Sequence, residues 1–72
     1  MRTFRDETGR EWQATVGRAS YGTQVLIFSR RDGHEIRQTL MSANSPLDAQ
    51  NELSELRDEE LRKRLVCSEE WH

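Results

Sequence analysis

Val25-Leu26-Ile27-Phe28-Ser29-Arg30-Arg31-Asp32-Gly33-His34-Glu35-Ile36-Arg37-Gln38-Thr39-Leu40 decides the fold. The stretch opens on a β-branched and aromatic run, turns at Asp-Gly, and resumes with a second β-prone run, the pattern of a β-hairpin. Asp32-Gly33 fit the two central positions of a type I′ turn. That turn pairs Ser29 with Ile36, Ile27 with Gln38 and Val25 with Leu40. Val25, Ile27, Ile36 and Leu40 then share one side of the ribbon. Leu26 and Phe28 point to the other side, beside Arg37 and Thr39, and a slip of one residue would exchange the two sides.

Upstream, Asp6-Glu7-Thr8-Gly9-Arg10 suits a type I turn closed by a left-handed glycine. In that register Phe4 faces Trp12, Arg5 faces Glu11 and Asp6 faces Arg10, which brings an aromatic pair and two opposite-charge pairs across the strands. Trp12, Ala14 and Val16 alternate with Glu11, Gln13 and Thr15, as in a strand with one buried side. Residues 17–23 connect the two hairpins, with the sole tyrosine, Tyr21, near the tip.

Downstream, the only proline, Pro46, marks a change of period. Ser45 can cap a helix that has Pro46 at its first position and Asp48 at its third. Ala49, Leu53 and Leu56 fall on one helical face. Leu61 and Leu65 fall on another, about 130° away at 100° per residue, so one straight helix cannot bury both sets. A break near Arg57-Asp58 follows, with Asp58 capping a second helix and Glu59 and Glu60 in its first turn. Arg62, Lys63 and Arg64 lie toward its C-terminal end, where the dipole favours cations. Residues 68–72 are expected to fray, with Trp71 either folded back on the body or projecting as an anchor.

Strands followed by helices predict an α+β class. The expected architecture is a four-stranded antiparallel meander of two hairpins followed by two short C-terminal helices packed on one sheet face. Strands are expected near 2–5, 10–17, 24–30 and 34–40, and helices near 46–56 and 58–66. The roofed face is expected to bear Trp12, Val16, Val25, Ile27, Ile36 and Leu40.

The 72 residues bound this to one domain, and Met at position 1 reads as the start of a whole small protein. Hydrophobic and charged residues each make up 33% of the chain, yet net charge is only −2 and the apolar residues are regularly spaced, which argues against disorder. The single cysteine, Cys67, excludes an intramolecular disulfide. The N-terminus lacks the apolar run of a signal peptide, and the longest apolar run, 25–28, is too short to span a bilayer. The cytosol is the expected compartment. Ten of the eleven basic residues are arginine, as a GC-rich bacterial or phage genome would supply. Residues 1–45 carry a net +2 and residues 46–72 a net −4, an asymmetry that fits either a binding face or two halves that attract each other.

No catalytic set emerges. His34 follows a tight turn, a solvated setting. Cys67 and His72 lack the further Cys or His ligands of a structural zinc site. Glu52, Glu55, Asp58, Glu59 and Glu60 read as a solvated helix face, with partners such as Glu60 and Arg64 at i and i+4. The glycines are scattered and form no phosphate loop. A non-enzymatic protein without metal or cofactor is therefore expected. In the first binding reading it is an adaptor, inhibitor or regulator of a larger protein, itself a monomer or weak homodimer. Leu26 and Phe28 then form an exposed patch beside Arg30 and Arg37, side chains of the kind that dominate interfaces. In the second it binds nucleic acid, with Arg18, Arg30, Arg31 and Arg37 on phosphates and Tyr21 or Phe28 stacking on bases. Against both stands a sheet that curls until Leu26 and Phe28 make a second small core.

Overall fold

The computed structural model describes residues 2–18, 23–31 and 33–70. Tyr21, Asp32, Trp71 and His72 thus lie outside the described residues, and with them the connector tip, half of the expected Asp-Gly turn and the terminal anchor. The elements are β1 (Arg2–Arg5), β2 (Glu11–Arg18), β3 (Gln24–Arg30), β4 (Ile36–Leu40), α1 (Pro46–Glu55), α2 (Asp58–Val66) and β5 (Glu69–Glu70). The strands form one antiparallel sheet in the order β1-β2-β3-β4-β5. The α+β meander with two C-terminal helices is the observed class.

The first hairpin follows its turn chemistry. Gly9 takes φ +85°, its N–H donates to the Asp6 carbonyl at 3.0 Å, and the Asp6 N–H donates to the Arg10 carbonyl at 2.9 Å. Phe4 faces Trp12 and Arg5 faces Glu11 as expected. The Asp6 carboxylate organises the turn. Its Oδ1 accepts from the Thr8 N–H, the Thr8 hydroxyl and the Arg10 N–H, and its Oδ2 accepts from the Trp12 indole at 2.8 Å. Desolvation works to raise this carboxyl, but the four donors outweigh it and hold the pKa lowered to about 2. A depressed native pKa stabilises the fold above the ordinary value of 3.8, and that stabilisation is lost as pH falls through about 2. Urea midpoints of the wild type should therefore drop between about pH 4 and pH 2. In Asp6→Asn, which starts less stable, the drop over that interval should be smaller. Circular dichroism at the two pH values measures both.

The second hairpin keeps the expected register but not the expected turn. Ser29 faces Ile36, Ile27 faces Gln38 and Val25 faces Leu40. Gly33, however, is not left-handed, so the turn is not type I′. Its N–H donates to the Arg30 carbonyl at 3.4 Å, while the Arg30 N–H donates to the Glu35 carbonyl at 3.1 Å. The Arg30 guanidinium lies over Gly33, where a Cβ would sit 2.5 Å from its Nη2 and the flexible arginine end would have to move aside.

The register between β2 and β3 overturns the expected choice of roofed face. Trp12 faces Arg30, Ala14 faces Phe28 and Val16 faces Leu26. Directly opposed residues share a side, so Phe4, Trp12 and Ala14 join Leu26 and Phe28. That side carries the helices: α1 lies over β2, and α2 over β1 and β4. The core unites those five strand residues with Met41, Ala49, Leu53, Leu56, Leu61 and Leu65, with Val16 and Ala43 packed against it. Phe4 and Phe28 meet edge to face, with centroids 5.7 Å apart. The expected set had joined Trp12 and Val16 to Val25, Ile27, Ile36 and Leu40, which lie on the opposite side. Aromatic volume explains the outcome. Phe4, Trp12 and Phe28 together bury far more apolar area than three aliphatic residues could, and the two helices need that bulk beneath them.

The helical part breaks where the two leucine faces require. The Ser45 hydroxyl accepts from the Asp48 N–H at 3.2 Å, and α1 ends at an extended Leu56. Arg57, not Asp58, occupies the cap position of α2 and makes no side-chain cap bond. Asp58 is instead engaged by Arg2, whose guanidinium spans the corner. Its Nη1 donates to the carbonyls of Leu53 (3.0 Å) and Leu56 (2.6 Å), and its Nη2 to Oδ1 of Asp58 (3.0 Å). Within the segment expected to fray, Ser68 is buried and Glu69–Glu70 form β5. Glu69 and Glu70 pair with Gln38 and Arg37 on the edge of β4.

Candidate functional site: the open sheet face

The side of the sheet without helices is assembled from alternate residues of β2, β3 and β4. β2 presents Gln13, Thr15 and Gly17, β3 presents Val25, Ile27 and Ser29, and β4 presents Ile36, Gln38 and Leu40. None of these is charged, in a chain that is 33% charged. Among the described strand residues, charge on this face is confined to its margins, at Arg5, Glu11 and Glu69.

Apolar residues gather on the β3–β4 half. Leu40 is 68% exposed and Ile36 39% exposed, two of the four large exposed hydrophobic residues among those described. Ile27 is half-buried and Val25 buried, yet Val25 lies outside the main core cluster. Gly17 makes this packing work. A Cβ there would meet the Ile27 Cδ1 at 2.4 Å and the Val25 Cγ2 at 3.5 Å. The Ile27 side chain therefore lies across the bare glycine, with Val25 beside it.

The residues proposed from sequence as contacts are not brought together on a surface. Leu26 and Phe28 are fully buried, so neither is a contact residue in this fold, and the second small core under the connector does not form around them. Arg37 is a structural clasp: its Nε donates to the Ser68 hydroxyl at 2.8 Å, its Nη2 to the Ser68 carbonyl, and its Nη1 to the Glu35 carboxylate at 3.3 Å. Arg30 lies 3.7 Å from Glu35, and Arg31 pairs with Glu11 at 2.8 Å. Arg18 is exposed but faces Gln24, at the opposite end of β3 from Arg30, about 20 Å away at strand spacing. Arg30 and Arg37 meet at the one Glu35 carboxylate, Arg18 lies apart from them, and three of the four already have carboxylate partners. Phe28 cannot stack on a base from inside the core.

The remaining candidates are dispersed. His34 is exposed in the β3–β4 loop and Cys67 is exposed at the end of α2. An open groove between the first turn and α2 is lined by Asp6, Glu7, Glu59, Arg62 and Lys63, with Val66 and Cys67, so charges of both signs stand beside an exposed valine. Among the described residues no group of three or more His, Cys, Asp or Glu is placed to hold a metal ion. No helix among them is long and apolar enough to cross a membrane.

Sequence reasoning missed the open face because it assigned Ile27, Ile36 and Leu40 to the core. A signal was present: Gln13 and Thr15 on β2 are polar yet uncharged, on a strand whose other side carries Trp12 and Ala14. Comparison with known protein families, curated proteins and solved structures finds no match.

Proposed function

We propose that this chain is a small non-enzymatic protein-interaction module, of the adaptor or regulatory kind, that binds through its open sheet face. The observation that carries this reading is the uncharged surface centred on Ile27, Ile36 and Leu40. Charge is depleted at the centres of protein interfaces while polar groups remain at the rim, and Arg5, Glu11 and Glu69 occupy that rim here. The partner surface is correspondingly apolar at its centre and low in charge.

The test is a pair of substitutions at exposed positions. Ile36→Asp with Leu40→Asp should leave the circular dichroism spectrum unchanged and shift stability by no more than about 1 kcal/mol, because both side chains already face water in good part. The double variant should lose the proteins, including further copies of this chain, that wild type retains as bait in extract of its native host. A folded variant that retains every one of them removes the assignment of the face. A salt-dependent mobility shift with mixed oligonucleotides would favour the nucleic-acid reading instead.

A further inference from the structure

We infer that the occupant of the open sheet face is a second copy of this chain, packed face to face about a two-fold axis. The inference rests on the proposed function and names the partner of that same surface. Three features of the face lead to it.

The first is electrostatic. Under a two-fold axis a surface meets itself, so every central charge would meet a like charge nearby. Like charges opposed across an interface cost several kcal/mol in mismatched complexes. A face that carries no charge at any outward position of β3 and β4, and on β2 only Glu11 at the end of the strand, in a chain one-third charged, avoids this conflict at its centre. A heterologous partner imposes no such rule, since a charge on one side can be met by its opposite on the other.

The second is shape. Two antiparallel sheets pack face to face about 10 Å apart with side chains interdigitating. The Ile27 side chain already lies over Gly17, and Ile36 and Leu40 are the exposed apolar side chains of the β3–β4 half. A two-fold contact can set this apolar half of one copy against the same half of the other.

The third is size. The molecule spans 33 × 27 × 18 Å between Cα extremes. A two-layer fold is thinnest across its layers, so the open side is one of its two broad faces. A standard interface takes about 800 Å² from each partner, and a broad face of these dimensions can just supply it. The apolar centre occupies only the β3–β4 half, so the dimer is a weak one that forms toward millimolar concentration.

The experiment uses the full chain. The sequence has two isoleucines, Ile27 and Ile36, and both lie on this face. Isoleucine methyl labelling therefore reports on the proposed contact and nowhere else. Sedimentation from micromolar to millimolar concentration should show the mass rising from one chain toward twice 8.5 kDa. The Ile27 and Ile36 methyl resonances should shift over the same range. Leu40→Glu should hold the mass at one chain and freeze both resonances. A mass that stays at one chain throughout overturns the inference, and so does a mass that doubles with both methyl signals unmoved. If the chain is monomeric but Ile36→Asp with Leu40→Asp still abolishes capture of a different protein, this inference falls and the proposed function stands. If the methyl signals are insensitive both to concentration and to host extract, both fall. Because the methyl readout uses the wild type, a variant that fails to fold does not block the test.

Discussion

Phe28→Ala is expected to cost about 3–5 kcal/mol, the usual range for removing a buried phenyl ring. A chain of 72 residues holds roughly 4–11 kcal/mol in total, so this one truncation removes a large share of it. The ring is fully buried and packs edge to face on Phe4, so truncation opens a cavity beneath the helices and also ends an aromatic contact worth about 0.5–1.5 kcal/mol beyond area. Ile36→Ala, on the opposite side of the sheet, should cost about 1 kcal/mol or less. Urea denaturation of the two variants measures the difference directly. Equal losses, or a larger loss at Ile36, would reverse the assignment of core and open face on which the proposed function depends.

The second large effect is expected at Arg2. Arg2→Met keeps most of the aliphatic stem but removes the guanidinium that serves two carbonyls at the end of α1 and the Asp58 carboxylate at the start of α2. Hydrogen bonds from a charged donor are worth about 1.5–3 kcal/mol, and Arg2 is only partly exposed, so a loss near 2 kcal/mol is expected. For a domain of this size each kcal/mol moves the Tm by about 4–8 °C, which gives a fall of roughly 8–16 °C. Arg2→Lys should recover only part of it, because a single ammonium cannot span the corner as a fork does. Hydrogen exchange should accelerate first at residues 53–58. A melting curve unchanged in Arg2→Met would show that the helical corner is held by packing alone.

Local chemistry made much of this fold legible. Gly9 and Asp6 specify the first turn, Ser45 and Pro46 start α1, and the angular offset between Leu53 and Leu61 forces the break. Each is a matter of a few neighbouring residues. The pairing of Val25 with Leu40 was legible too, although the turn that sets it is not the type expected, since both turns leave the same residues opposed. What failed was the parity between β2 and β3. Residues 17–23 carry no tight-turn pattern, so nothing local fixes whether Trp12 stands beside Phe28 or beside Ile27. That choice is settled by which face supplies enough volume for two helices, a property of the whole chain. The error passed straight to the candidate site: with the faces exchanged, Leu26 and Phe28 appeared exposed and Ile36 and Leu40 appeared buried. Arg2 and Arg37 were missed as clasps for a related reason, since their partners lie far along the sequence.

Arg2 closes on carbonyls 51 and 54 residues downstream. During synthesis the meander can pair as it emerges, but its aromatic side stays wet and its first strand unfastened until the helical corner clears the ribosome exit tunnel. Until that corner closes, Phe4, Trp12 and Phe28 have no cover on their side of the sheet.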